Sequence, residues 1–158
     1  MRLALVGAAA LLVVSGAAEA AFNPVDFFRG RTHGTGTLKV IFSSPETIEV
    51  DNEGVSEPDG SLLLKQTIHE PGKPARVRQW HLRQIANGRF EGTLTDAASA
   101  VRVDVTKGGV RIRYTAQNHL NFDQLLTPAG PREVRNATRI RRFGIIVAHF
   151  DEVIRKLD

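Results

Sequence analysis

The chain has no cysteine, one methionine, one tryptophan and one tyrosine among its 158 residues. Without cysteine there is no disulfide staple, no thiol nucleophile and no thiolate metal site. Stability must rest on a buried core, which a chain of this length can assemble. Catalytic signatures are missing as well: no Gly-x-Ser-x-Gly elbow, no His-Glu-x-x-His pair and no phosphate loop occurs. Gly34-Thr35-Gly36 is a glycine pair in a strand setting, not a dinucleotide fingerprint. These absences remove the commonest hydrolase, zinc-protease and nucleotide-binding classes. The expectation is a non-enzyme that carries no cofactor and no metal. His119, Asn121 and Asp123 share one side of an extended segment and could ligate a metal. Such a row is more often the wet side of an edge strand.

Long apolar runs are confined to the front. Arg2 precedes the apolar stretch Leu3–Val14, and Ala18-Glu19-Ala20 is a small-x-small site. That order is the pattern of a secretory signal peptide over residues 1–20, with the domain proper at 21–158. The run is too short and too rich in Ala and Gly for a comfortable spanning helix. The expected location is the periplasm or cell envelope.

Charge is present in both signs but unequal. Lys and Arg total 21 against 17 Asp and Glu, a net +4. For an exported protein, an anionic envelope surface is a more natural neighbour than nucleic acid, and nucleic acid is not expected. A solvated basic face accounts for the same balance.

What the chain does have is period two. Gly34–Phe42, Glu46–Val50, Ser61–Glu70, Ala75–Ile85, Arg89–Thr95, Ala100–Thr106, Val110–Ala116, His119–Leu126 and Glu133–Phe143 read as strands. Alternation is cleanest where Val101, Val103 and Val105 oppose Arg102, Asp104 and Thr106. Pro71-Gly72-Lys73-Pro74, Asn87-Gly88 and Gly108-Gly109 supply the turns. About eight or nine short strands separated by turn residues predict an antiparallel barrel or sandwich. Asn136 completes a glycosylation-type triplet with Ala137 and Thr138, and is expected to cap or turn the chain. The last segment breaks the period. Ile146, Phe150, Val153 and Leu157 recur at steps of four, three and four. That spacing predicts a C-terminal amphipathic helix packed on the barrel, or lying on a membrane surface.

Several of these strings resemble a known family. Arg78-x-Trp80, the Arg89-Phe90-Glu91-Gly92 run, Asp96, Tyr114, and Asn136 followed by Arg141-Arg142-Phe143-Gly144 are similar to bacterial envelope proteins classed as domain of unknown function family thirty-eight-thirty-three. The resemblance implies a lipocalin-like β-barrel, an envelope location and no established activity. Many members look like lipoproteins, whereas this chain has no anchoring Cys, and Lys65 stands where the family pattern favours Glu.

One constellation is a candidate site. If the segments flanking Pro71–Pro74 pair with Glu70 opposite Ala75, then Lys65 lies opposite Trp80 and Thr67 opposite Arg78. Lys65, Arg78 and Trp80 then share one face. Turned inward, two cations beside an aromatic ring would seat the head of a fatty-acid-like or other anionic lipid. Turned outward, they form a basic surface strand with cation–π cover on Trp80. The two functional readings are therefore a carrier of a small apolar or anionic amphipathic ligand, and a structural or interaction protein with a filled barrel.

Overall fold

The computed structural model describes residues 22–158. The expected signal segment lies outside the described residues. A short helix, α1 (Pro24–Phe28), precedes ten strands: β1 (Gly30–Val40), β2 (Glu46–Ser56), β3 (Leu62–His69), β4 (Arg76–Ala86), β5 (Arg89–Leu94), β6 (Val101–Thr106), β7 (Gly109–Thr115), β8 (Asn121–Gly130), β9 (Glu133–Arg142) and β10 (Ile145–Lys156). Each strand pairs antiparallel with its neighbours in sequence, and β1 pairs with β10 to close the barrel. Closure leaves no sheet edge to protect. The fold is the mainly β, lipocalin-like antiparallel barrel that was expected, with ten strands instead of eight or nine.

The expected C-terminal helix is instead β10. Its backbone bonds to β9 on one side and to β1 on the other, so this strand seals the barrel. Five of its twelve residues are β-branched, which suits a pleated strand better than a helix. Ala148, Phe150, Glu152 and Ile154 turn inward on alternate positions. Two features mask that period. The register shifts between Ile146 and Ala148, which inserts a bulge, and a glutamate occupies a core position. The helical spacing of Ile146, Phe150, Val153 and Leu157 is therefore a coincidence of two faces. His119 sits in the turn before β8, with Asn121 and Asp123 at successive outward positions, in a barrel that has no edge strand.

The two ends of the barrel differ. One end is filled. Leu62, Leu82, Phe90, Val101, Val110, Leu126 and Val134 pack together there, and α1 covers them with Val25, Phe27 and Phe28. Asn23 starts α1 by accepting from the Val25 amide at 2.9 Å, with Pro24 in the first turn where no donor is lost. Lys156 Nζ donates to the carbonyls of Phe27 and Arg29 at the other end of α1, tying it to β10. Gly54 lets α1 lie close, since a Cβ there would meet the Phe28 carbonyl oxygen at 1.8 Å. The other end, ringed by the β1–β2, β3–β4, β5–β6, β7–β8 and β9–β10 loops, is hollow.

Candidate functional site

The hollow end holds a cavity of about 350 Å³, toward the small end of the roughly 300–1,000 Å³ common for small-molecule sites. Its upper wall carries the apolar Leu38, Ile48, Ile68, Ile140, Leu120 and Phe150, with the charged Glu70, Arg76 and Asp96 on one side of the rim. Its floor is polar. Gln66, Arg78, Gln124, Asn136, Thr138 and Glu152 meet there beside the rings of Trp80 and Tyr114.

Two hydrogen-bonded chains organise the floor. In the first, Arg78 donates from Nε and Nη2 to Gln66 Oε1 at 2.9 and 2.6 Å, and Trp80 Nε1 donates to the same oxygen at 3.2 Å. Gln66 Nε2 in turn donates to Asn52 Oδ1 at 3.0 Å, and Asn52 Nδ2 to Thr32 Oγ1 at 3.1 Å. This chain crosses β4, β3, β2 and β1 and satisfies polar groups that burial would otherwise penalise. The second chain crosses β9 and β10. Thr138 Oγ1 donates to Asn136 Oδ1 at 3.2 Å, and Asn136 Nδ2 donates to Glu152 Oε2 at 3.0 Å. Asn136 is thus an inward strand residue, not the cap or turn expected from the sequence.

Glycines of β1 make room for the second chain. A Cβ on Gly34 would lie 1.9 Å from Glu152 Oε1, and one on Gly36 would lie 2.5 Å from the Phe150 ring. The glycine pair of the first strand is therefore a shelf on which β10 lays a carboxylate and an aromatic ring.

Three buried polar atoms on the cavity wall have no hydrogen-bond partner: Tyr114 Oη and Glu152 Oε1 inside, and Asp96 Oδ1 toward the rim. Tyr114 is fixed by its neighbours. Its ring stacks on Phe122 at 4.8 Å and meets Trp80 edge-on at 5.6 Å. Burial pushes the Tyr114 hydroxyl pKa up, against the pull of the nearby Arg78 charge, so the group stays a donor. Burial also pushes the Glu152 carboxyl up, opposed by the Asn136 hydrogen bond and by the charges of Arg78 and His33. Glu152 is only 7% exposed.

At the rim, Asp96 binds Arg76 at 3.1 Å and Arg78 at 3.5 Å. Glu70 binds Lys73 at 2.5 Å and Arg76 at 3.5 Å, and the Lys73 hydrogen bond holds its carboxyl below the ordinary glutamate range. These ion pairs knit the β3–β4 turn to the β5–β6 loop.

The predicted trio does not stay together. Arg78 and Trp80 face the cavity, and the Arg78 guanidinium lies 5.5 Å from the Trp80 ring centre. Lys65 faces solvent on the outer surface, 3.9 Å from Glu53. The pairing expected across the Pro71–Pro74 turn is off by one residue: Gln66 lies opposite Arg78, and Leu64 opposite Trp80. A one-residue slip moves every side chain of a strand to the other face, so Gln66 takes the inward place assigned to Lys65. The sequence reading missed Gln66, Gln124, Asn136 and Glu152. The available signal was Glu152 at alternate spacing from Ala148 and Ile154, a carboxylate in a core register.

Residues 5–156 match the family model described as "Protein of unknown function (DUF3833)". Comparison with curated proteins gives no match. Among solved structures, an S-type phycobiliprotein lyase from Guillardia theta aligns with a TM-score of 0.66 at 7% identity, over 85% of this chain and 91% of that one. A protein of unknown function from the DUF3598 family of Nostoc punctiforme PCC 73102 aligns with a TM-score of 0.66 at 12% identity, over 88% of this chain and 51% of that one. This chain thus spans about half the length of the second protein. At these identities the likeness is one of fold.

Proposed function

The chain belongs to the family whose model it matches, and for this member we propose that the barrel binds a small amphipathic, lipid-like molecule in its interior cavity. One observation carries the reading. The cavity joins a mainly apolar upper wall to a buried polar floor, and that floor keeps a donor, Tyr114 Oη, and a carboxylate oxygen, Glu152 Oε1, without partners. A buried polar atom without a partner costs about 1–3 kcal/mol. A ligand whose polar end reaches both atoms removes that cost, while its chain lies against Leu38, Ile48, Ile68 and Phe150.

The head carries an oxygen that accepts from Tyr114 and from the Arg78 guanidinium. With Lys65 outside, Arg78 is the cation on the floor, and Gln66 and Asp96 already engage it. An anionic head therefore gains less here than a paired-cation site would give. The role is non-catalytic binding, and the leader-like front of the chain supports its placement in the envelope.

Trp80 is the single tryptophan, is 5% exposed and stands on the cavity wall, so its fluorescence reads the site directly. Titration with a fatty acid and with an alcohol of equal length is expected to change its emission saturably. Tighter binding of the acid assigns an anionic head. Equal binding assigns a neutral hydroxyl head in the same cavity. No response to either compound overturns the carrier reading in favour of a structural barrel.

A further inference from the structure

The mouth of the barrel carries its own anomaly. Phe42, in the β1–β2 loop, is 101% exposed, and Phe143, in the β9–β10 turn, is 84% exposed. Both adopt positive φ, 62° and 49°. Left-handed backbone is costly for any residue with a Cβ and is ordinarily given to Gly or Asn. Here two large rings occupy it and bury little in return. Strain of this kind marks functional surface when the side chain has no packing reason to be there. The two tips are neighbours. The Ile41 amide donates to the Val147 carbonyl at 2.9 Å, which draws the β1–β2 loop beside the start of β10. Ile41 and Ile145 are exposed alongside them.

The collar beneath the tips is cationic. Lys39 pairs in register with His149, and His149 with Arg139, in an outward row across β1, β10 and β9. Arg142 lies over the Phe143 ring at 5.4 Å. Lys39, Arg139 and Arg142 make no ion pair among the described residues. Apolar tips above unpaired cations match the layering of an anionic bilayer, with acyl chains beneath acidic head groups. A second copy of the chain is a poorer occupant. A two-fold contact through this face would set the unpaired cations of each copy against one another.

We propose that the Phe42 and Phe143 tips, with the collar of Lys39, Arg139 and Arg142, dock the open end of the barrel onto an anionic lipid surface. Docking stands apart from ligand binding. It needs only the tips and collar, and it holds even for an empty cavity. Where both hold, the mouth faces the membrane that supplies the ligand, and Leu38, Ile140 and Phe150 continue the apolar path inward from the tips.

Co-sedimentation of the full chain with vesicles tests this, using phosphatidylcholine alone and equimolar phosphatidylcholine with phosphatidylglycerol. Stronger binding to the anionic vesicles is expected. The Phe42→Asn/Phe143→Asn variant is expected to bind them about tenfold more weakly, and Lys39→Gln/Arg142→Gln to lose the preference for the anionic lipid. Asn suits left-handed backbone better than Phe, so the first variant should melt at or above the parent temperature. The shared front of the chain cancels in each comparison of variant with parent. Unchanged vesicle binding by the Asn variant overturns the proposal. So does a concentration-dependent dimer that the same variant dissolves, since the tips would then join copies of the chain.

Discussion

Asn136 Nδ2 donates to one carboxylate oxygen of Glu152 at 3.0 Å, and the other oxygen, laid over Gly34, has no partner. The pair sits inside the barrel, on adjacent strands that meet in register. A half-satisfied buried carboxylate is a liability for folding, and so it is the feature whose removal says most about what the cavity is for.

Glu152→Gln is expected to raise the thermal midpoint of the empty protein at neutral pH. Burial lifts the Glu152 pKa above its unfolded value, so the folded chain holds this proton more tightly. Stability from the group is therefore full at acid pH. It falls as pH rises from the ordinary carboxylate range through the raised value. The Gln variant removes that fall, because it is neutral throughout. Thermal melts of both proteins across acid to neutral pH check this by difference, which cancels groups of opposite sign such as Asp123, held low by Arg111. Curves that run parallel would show that Glu152 is charged at no cost, and the case for an unsatisfied floor would fail.

Arg78 and Lys65 separate on the same principle. Lys65→Ala is expected to change stability by less than about 0.5 kcal/mol, as for an exposed side chain with a loose ion pair. Arg78→Ala is expected to cost about 1–3 kcal/mol, since two charge-assisted bonds to Gln66 and the cover over Trp80 are lost together. Chemical denaturation of the two single variants distinguishes them. Equal costs would indicate the register in which both residues share a face.

That register shows where sequence reading stops. Strands with strict alternation, such as Val101–Thr106, were legible because one face is apolar and the other charged. The pairing of β3 with β4 was not. The loop between them is centred on Gly72 at φ 69°, and pairing about that residue puts Ile68 opposite Arg76. A symmetric count across Pro71–Pro74 gives a register one residue away. Turn chemistry decides between the two, and both leave a plausible pattern on β3, where Leu62, Leu63 and Leu64 run without alternation. The site was half-legible for a related reason. Arg78 and Trp80 stood out as residue types, while Gln66, Gln124 and Asn136 are ordinary surface types until closure of the barrel turns them inward.

The last strand gives the sharpest test of that closure. Helical spacing puts Val153 on the buried stripe, whereas β10 turns Val153 outward, between Thr35 and Arg135, and buries Ile154 at 4% exposure. Ile154 packs with the filled end of the barrel, in the same cluster as Val134 and Leu62. Ile154→Ala is accordingly expected to cost about 2–5 kcal/mol, the range for removing a fully buried branched side chain without collapse of the space left. Val153→Ala is expected to cost under about 1 kcal/mol, since the position is partly covered and its neighbours on that face are polar. Denaturant midpoints of the two variants settle the order. A larger loss at Val153 than at Ile154 would restore a helical face and open the seam between β9 and β1. The barrel, its cavity and the mouth built on the β9–β10 turn would all have to be redrawn.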